Sequence, residues 1–290
     1  MLGWGWGGAG LGWAGLGVQN RGQAQLGSAL LIFDNTQYAN DKLEEMMNRK
    51  GLEFNTDKSN FLIIGSKKEQ NRIQKSIDEN PLTLCNEEMK QVKALKYLGD
   101  FLMADLAASV HETVQKRISI ATLTIYEIRA VVEDRRAKCI GGVNIGINIF
   151  LSSVIPMVLF NCETWSCIPK KTYKSLNEFF CRFFRVLFQI GAGAPIPNFF
   201  WQVGMFLPEN LILQRKINFI HHLATLQEGS LAKEVYMIQK ENSLGGIVRE
   251  TKEHVDRIGD PVVMSKHSWK KKVLQYMKEK NKNDLVLMGK

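Results

Sequence analysis

The chain has 290 residues and a formal net charge of +9; 45% of its residues are hydrophobic and 23% are charged. This balance excludes a disordered polymer and a polytopic membrane protein, and the length allows one or two domains. Five cysteines without a C-x-x-C pair specify neither a zinc ribbon nor a disulfide framework, so we expect reduced cysteines in an intracellular, nuclear or cytoplasmic protein. The adjacent His221 and His222 would point about 100° apart on a helix, and we expect no metal site there.

The positive charge is concentrated in the second part of the chain. Residues 31–100 carry 11 basic and 12 acidic side chains, whereas residues 101–290 carry 26 basic and 17 acidic ones. This excess favours an acidic partner, RNA or DNA. Four lysines near the end of the chain are candidate phosphate contacts: Lys266, Lys270, Lys271 and Lys272. A solvated surface that aids solubility is the alternative interpretation of these lysines.

Two stretches are almost or entirely uncharged. Residues 1–30 hold 10 of the 24 glycines and one charge, at Arg21, so we expect a disordered low-complexity leader. The 24 residues from Cys139 to Cys162 carry no charge and are long enough to span a bilayer. Glycines, asparagines and Pro156 interrupt them, which favours a buried helix pair in a soluble core over a membrane segment.

The first predicted elements are a helix and a β-hairpin. An apolar face with a spacing of three and four residues predicts a helix that Asn40 caps and that stops at Lys50. Gly51 can adopt a positive φ just beyond it. Residues 51–54 and 61–65 are each typical of a strand, and a polar connection between them predicts a hairpin.

A second helix and two more strands follow. The helix is predicted over residues 69–79, and Pro81 stops it. Short strands are predicted over residues 82–85 and 95–98, and Gly99 supplies the turn after the second of them. This part of the chain therefore contains both helices and strands.

Beyond residue 105 the apolar spacing is that of helices, so the fold class is α+β. The later helices are predicted over these ranges: 143–161, 170–190, 209–227 and 230–241. One of them carries five phenylalanines together with Arg182 and Arg185, which are candidate nucleic-acid contacts. Aromatic side chains beside arginines can stack on bases. Phenylalanines spaced by four residues more often form a packed seam, and we favour core packing.

Three segments carry a resemblance to a known family. They are GLEFNTDKSNFLIIG at 51–65, KYLGD at 96–100 and VIPMVLFNCETWSCIPKK at 154–171. Their order resembles the end of the palm and the following helical region of LINE-type non-LTR retrotransposon reverse transcriptases, over roughly residues 38–250. The resemblance implies a palm remnant with a primer-grip-like hairpin (31–105) and a helical thumb-like region (106–245). Composition adds a low-complexity leader (1–30) and a basic C-terminal tail (246–290).

The resemblance also implies roles for individual residues. Lys58 matches the lysine that lies beside the phosphates of the incoming nucleotide, where an ammonium stabilises developing charge. Tyr97, Leu98 and Gly99 match the hairpin that holds the primer end. An intact member of the family needs Mg²⁺ at a pair of aspartates for polymerisation.

That aspartate pair is missing, because the sequence contains no Asp-Asp dipeptide. The nearest likeness to the family's Tyr/Phe-x-Asp-Asp turn is Tyr38-Ala39-Asn40-Asp41. A catalytic turn must be followed by a second strand, but all nine residues between Asp41 and Gly51 belong to the predicted helix and leave no room for one. Asp34 has no adjoining carboxylate. The early palm and fingers would also need more residues than precede this point. We therefore predict no catalytic residue, no metal ligand and no cofactor.

Four functional hypotheses follow from these observations. The first is a truncated, inactive reverse-transcriptase fragment that binds RNA or DNA weakly. The second is a subunit completed by a separate catalytic polymerase chain. The third is a helical protein-interaction module derived from a retroelement, and the fourth, which we do not favour, is an integral membrane protein. A palm remnant without its central strands has an unpaired sheet edge, so we also expect self-association.

Overall fold

The structure is a computed structural model that describes residues 24–52, 54–56, 59–97, 99–133, 140–191, 200, 202–241 and 246–288. The chain divides into two compact units, residues 1–105 and residues 106–290. Most of the described residues are helical, and the strands pair in three small sheets of two strands each. The chain is therefore of the α+β class, as its sequence predicts.

The first unit combines helices with short strands. Its described helices are α1 (Ala24–Arg49) and α2 (Lys67–Glu79). Its described strands are β1 (Asn60–Phe61), β2 (Thr83–Leu84), β3 (Glu87–Glu88), β4 (Lys90–Gln91), β5 (Ala94–Tyr97) and β6 (Asp100–Met103). Strands β2 and β3 form one antiparallel hairpin, and β5 and β6 form another. A small core of Ile63, Ile77 and Leu82 lies between these elements.

Helix α1 begins earlier than the sequence predicts. Because it starts at Ala24, Asn40 lies inside the helix and does not cap it, and residues 24–30 of the predicted disordered leader are helical. Alanine and leucine recur between Ala24 and Asn40. Both are good helix formers, so the helix extends from Asn40 back toward the N-terminus. The predicted end at Lys50 is confirmed to within one residue, because the helix ends at Arg49. The rest of the predicted leader, residues 1–23, lies outside the described residues.

The predicted hairpin between residues 51–54 and 61–65 does not form in the described part of this segment. Strand β1 pairs in parallel with β4 instead. The reason is apolar packing: Phe61 and Ile63 pack with Ile77 of α2, which brings β1 to the chain that follows α2. The strand partner is thus decided by a contact between residues distant in sequence.

Local signals determine α2 and the last hairpin. Ser66 and Glu69 form a capping box at the start of α2, with the Glu69 carboxylate accepting from the Ser66 N–H at 2.9 Å. The helix stops at Glu79, before Pro81, as predicted. Strands β5 and β6 pair on either side of Gly99, whose φ of 87° suits the predicted turn.

The described elements of the second unit are all helices, joined by turns and loops. Its α-helices, in chain order, are α3 (Leu106–Glu133), α4 (Ile140–Ile149), α5 (Ile155–Val158), α6 (Lys170–Phe188), α7 (Pro208–Ala224), α8 (Leu231–Glu241), α9 (Ile247–Ile258) and α10 (Lys266–Met288). The predicted helices over 170–190, 209–227 and 230–241 are confirmed within a few residues. The segment assigned above to a basic tail, residues 246–290, contains α9 and α10.

The predicted helix over residues 143–161 is divided into parts. Helix α4 ends at Ile149, a π-helical turn covers Phe150–Val154, and α5 follows. Pro156 has no N–H to donate and its ring clashes with the preceding turn, so a regular α-helix is interrupted there. Helix formation in this stretch was predicted correctly, but its continuity was not.

Five phenylalanines form the centre of the helical unit. Phe150 stacks on Phe183 with ring centroids 3.7 Å apart and an interplanar angle of 8°, and it meets Phe180 edge-on at 5.3 Å. Phe179 and Phe184 are also buried. The predicted core role of the α6 phenylalanines is therefore confirmed, because rings packed inside the unit are not available to stack on bases.

The uncharged stretch from Cys139 to Cys162 contributes to the same core. Phe150, Val154 and Val158 are all fully buried. None of the described helices is long and apolar enough to cross a bilayer. This part of the chain packs against the other helices of its unit.

Helices α9 and α10 are part of the folded helical unit. Trp269, Val273 and Met277 of α10 form a second core with Ile217 of α7 and Ile258 of α9. A little further along α10, Asn281 accepts hydrogen bonds from the Leu207 N–H at 2.9 Å and from Asn210 Nδ2 at 3.0 Å. Both apolar burial and hydrogen bonding therefore hold the lysine-rich helix in place.

Candidate nucleic-acid interface

Three arginines from two helices line one shallow surface depression of about 350 Å³. Arg182 and Arg185 belong to the last part of α6, and Arg129 belongs to the last part of α3, which packs against α6. Within the described part of the chain, Val186, Gln189 and Ile190 also line it. We call Arg129, Arg182 and Arg185 the arginine cluster.

The phenylalanine core determines the direction of the α6 arginines. Phe180, Phe183 and Phe184 occupy the buried face of the helix, which leaves Arg182 exposed and Arg185 half-buried at the edge of that face. On α3, Arg129 follows the buried residue Ile128 and is itself exposed. The aromatic seam therefore positions the arginines without itself forming part of the interface.

The arginine cluster attracts anions. No acidic residue is among the described residues that line the depression, and arginine stays charged at all ordinary pH values. The C-terminal end of α6 opposes an anion, but its dipole is equivalent to only about half a negative charge, against three guanidinium groups. A guanidinium can also donate two parallel hydrogen bonds to one phosphate. The balance favours phosphate binding.

The four candidate lysines lie in the first turns of α10, and all are exposed. Lys266 and Lys270 line a cleft of about 430 Å³ between α7 and α10, whereas Lys271 and Lys272 do not line it. The first turn of α10 contains no acidic residue. Cations at the N-terminal end of a helix are unfavourable because they face the positive end of its dipole. Local helix stability therefore does not explain the position of these lysines.

Several other basic residues of this unit have internal structural roles. Arg117 is 8% exposed, donates to the Phe160 carbonyl and lies over the rings of Phe160 and Trp165. Arg215 donates to the Leu159 carbonyl at 2.7 Å. The buried Lys216 pairs with a glutamate of α9. The charge count of the sequence therefore overstates the positive charge that a phosphate would meet.

The palm-like candidates belong to the first unit. Gly99 forms the β5–β6 turn, and Tyr97 ends β5, but the side chain of Tyr97 lies outside what is described. Lys58 and Leu98 also lie outside the described residues. The nucleotide and primer roles of these four residues remain predictions from the resemblance.

No group of three His, Cys, Asp or Glu side chains that could hold a metal ion occurs among the described residues. Asp41 is exposed and accepts a hydrogen bond from Gln37 at 2.7 Å. His221 is buried and contacts the Met264 carbonyl at 3.1 Å, while its neighbour His222 is exposed. The described donors therefore do not fit the magnesium site of an intact polymerase.

Burial shifts the pKa of several side chains in this unit, among them Cys162 and His254. It raises the pKa of the Cys162 thiol to about 12, so this cysteine is neutral at physiological pH and a poor nucleophile. Burial also lowers the pKa of His254, and the positive charge of Lys280 lowers it further. The Nδ1 atom of this ring lies 2.7 Å from the Tyr276 hydroxyl oxygen, within hydrogen-bond distance.

Sequence reasoning missed Arg129 as a member of the interface. Its local sequence carries no signal, because one arginine on a long helix resembles any solvated residue. The side chain joins Arg182 and Arg185 only through the packing of α3 against α6.

Compared with known proteins, the chain matches no protein-family model, no curated protein and no solved structure.

Proposed function

We propose that the chain is a reverse-transcriptase-like fragment that binds RNA or DNA through its helical unit and does not polymerise. In this proposal residues 31–105 are a palm remnant and residues 106–245 are a thumb-like region. The arginine cluster is the observation that carries the binding function. The lysines at the start of α10 add further positive charge on the same unit.

The residue types of the arginine cluster suit a nucleic-acid backbone. Arg129, Arg182 and Arg185 line a single depression, and guanidinium groups at one surface can neutralise backbone phosphates. Phosphate contacts of this kind provide affinity without reading sequence. Phe179, Phe180, Phe183 and Phe184 of α6 are buried, so these rings do not offer a platform for base stacking. We therefore expect binding without sequence preference and with strong salt dependence.

The missing aspartate pair supports the inactive part of this proposal. The chain contains no Asp-Asp pair, and its described side chains include no metal-binding group. Asp41 lies within helix α1, far from either end of it, where the backbone cannot form a catalytic turn. A separate chain that supplies fingers and catalytic palm would complete an active enzyme, which is the alternative form of this proposal.

Protein binding is the second candidate function, and one observation favours it. Ile120, Leu123 and Tyr126 of α3 are spaced by three residues and are 60%, 67% and 53% exposed, which is a large apolar stripe for a helix surface. An apolar interface depends little on salt, whereas phosphate binding weakens steeply as salt rises. The salt response therefore separates the two candidates.

Replacing the arginine cluster is expected to weaken nucleic-acid binding about tenfold at about 0.1 M salt. The triple variant Arg129→Gln, Arg182→Gln and Arg185→Gln removes up to three charges that neutralise phosphates. The slope of log affinity against log salt should become shallower by about one for each phosphate that is no longer neutralised. Fluorescence anisotropy with labelled RNA and DNA duplexes of equal length measures both quantities.

A charge-matched variant controls for the reduced net charge. Arg249→Gln, Lys252→Gln and Arg257→Gln remove the same charge from exposed positions of α9 that do not line the depression. This control should retain affinity within about twofold of the parent chain. Equal losses of affinity in the two triple variants, or an affinity that does not change with salt, would contradict the proposed interface.

The purified chain is expected to show no primer extension with either Mg²⁺ or Mn²⁺. The physical reason is that two-metal polymerisation needs carboxylates held together near the primer end. A gel assay with a primed RNA template and all four deoxynucleotides gives the measurement. Metal-dependent incorporation that disappears on replacing Asp34 or Asp41 by asparagine would overturn the inactive assignment.

A further inference from the structure

Helix α3 exposes apolar side chains on the side opposite its buried face. Ala121, Ile125 and Ile128 are at most 3% exposed and belong to the main core of the helical unit. On the outer side, Ile120 is 60% exposed and Leu123 is 67% exposed. Adjacent large apolar side chains at this exposure mark a surface that binds a partner.

The outer side of α3 has the spacing of a helix–helix seam. Four exposed residues follow one another at intervals of four, three and four: Lys116, Ile120, Leu123 and Glu127. This alternation is the a/d pattern by which one helix packs along another. The four residues span about 16 Å of helix, and Tyr126, 53% exposed, flanks them. We call Lys116, Ile120, Leu123 and Glu127 the α3 row.

The α3 row is complementary to its own reverse. A twofold axis beside residues 121 and 122 would bring Ile120 against Leu123 of a second copy, and Lys116 against Glu127 of that copy. Each contact then occurs twice, as in every isologous interface. A parallel pair would instead place lysine against lysine and glutamate against glutamate. Charge complementarity therefore favours a second copy of this chain in the antiparallel orientation.

The existing ion pair of Lys116 is compatible with this contact. Its Nζ lies 3.2 Å from Glu112 Oε1, one turn earlier in α3, and the two side chains are 49% and 45% exposed. Exposed ion pairs of this kind contribute little to stability. An ammonium also has three donors, so Lys116 can contact Glu127 of a second copy without leaving Glu112.

We propose that α3 forms an antiparallel dimer contact with α3 of a second copy of this chain. Ile120 and Leu123 lie at its centre, and a Lys116–Glu127 pair closes each end. The contact gives a partner to the protein-binding candidate, on which it rests, and does not depend on nucleic-acid binding. One helix face per copy is small beside a standard interface of about 800 Å² per partner. We therefore expect a dissociation constant on the order of 10–100 µM.

Charge reversal at the two ends tests the contact and its orientation. Lys116→Glu and Glu127→Lys should each weaken dimerisation at least about tenfold, because each replaces two opposite-charge pairs by two like-charge pairs. The double variant restores both pairs and should dimerise within about threefold of the parent chain. Sedimentation equilibrium of the full chain between about 5 and about 500 µM, at about 0.1 M salt, gives the measurement.

Mixing the two single variants provides a second rescue. One chain then carries glutamate at both ends of the α3 row and the other carries lysine at both ends, so a heterodimer should form although neither variant dimerises well alone. All the substituted positions are exposed, and circular dichroism checks that each variant is folded. Lys252→Glu and Asp256→Lys on the exposed side of α9 are charge-matched controls and should change dimerisation less than about twofold.

Three outcomes would overturn the proposal. A parent chain that is monomeric at about 500 µM would leave the α3 row to a different protein. Association that every variant retains would place the contact elsewhere, as on a strand edge of the first unit. Weakening without rescue in the double variant or the mixture would refute the antiparallel pairing. Sedimentation is measured without nucleic acid, so failure of the arginine cluster to bind phosphates would leave these results unchanged.

Discussion

Truncation of Phe183 to alanine is expected to lower the free energy of unfolding of the helical unit by about 3–5 kcal/mol. Phe183 is 1% exposed, stacks on Phe150 at 3.7 Å and lies 5.5 Å from Phe184, measured between ring centroids. Removing the ring leaves a cavity at the centre of the aromatic core. Urea unfolding followed by circular dichroism measures the change as a lower midpoint with an unchanged slope.

A decrease of this size is a large part of the stability of an ordinary domain, so Phe183→Ala can unfold the unit altogether. Phe183→Leu keeps most of the buried apolar volume and is expected to cost about 1–2 kcal/mol. Leu123→Ala on α3 removes an apolar side chain that is 67% exposed and should cost less than about 0.5 kcal/mol. A cost for Phe183→Leu as small as that for Leu123→Ala would show that the aromatic core is not packed as described.

Replacement of Glu250 by alanine is expected to destabilise the unit by about 3 kcal/mol. The Lys216 side chain is 4% exposed, and its Nζ lies 2.5 Å from Glu250 Oε2. The other carboxylate oxygen accepts a hydrogen bond from the Cys167 N–H at 2.8 Å. Without Glu250, a buried ammonium has no counter-ion and a backbone N–H has no acceptor. Chemical denaturation of the variant gives the measurement.

The double variant Lys216→Met and Glu250→Ala separates the cost of an unpaired charge from the cost of poorer packing. Because methionine fills a similar volume without a charge, the double variant should be more stable than Glu250→Ala alone. A double variant that is less stable than the single one would mean that Lys216 is tolerated unpaired. In that case the pair contributes little to holding α9 against α7.

Local chemistry made several elements predictable from the sequence. The end of α2 is determined by Pro81 and the turn between β5 and β6 by Gly99, because a missing N–H and a positive φ act within a few residues. The apolar spacing of α6 likewise predicted both its helix and its buried face. Such features need no knowledge of the rest of the fold.

Pairing between distant segments was not predictable in this way. Strand β1 pairs with β4, about 30 residues later, because Phe61 and Ile63 pack on α2. The start of α1 was not predicted for a related reason. Asparagine is a residue type that often caps helices, so the sequence predicted a helix start at Asn40. In the fold its amide instead lies 3.4 Å from the carbonyl of Thr83. A residue that can cap a helix can equally serve a tertiary contact.

The sequence alone determined that positive charge accumulates after residue 100 and that no aspartate pair is present. It also determined the helical character of that part of the chain, because apolar periodicity is a local property. The tertiary structure decided which basic residues gather at one surface: Arg129 joins Arg182 and Arg185, while Arg117 and Lys216 are buried. It also left Ile120 and Leu123 of α3 exposed while Ala121 and Ile125 are buried, because helix packing decides which side of an apolar segment faces solvent.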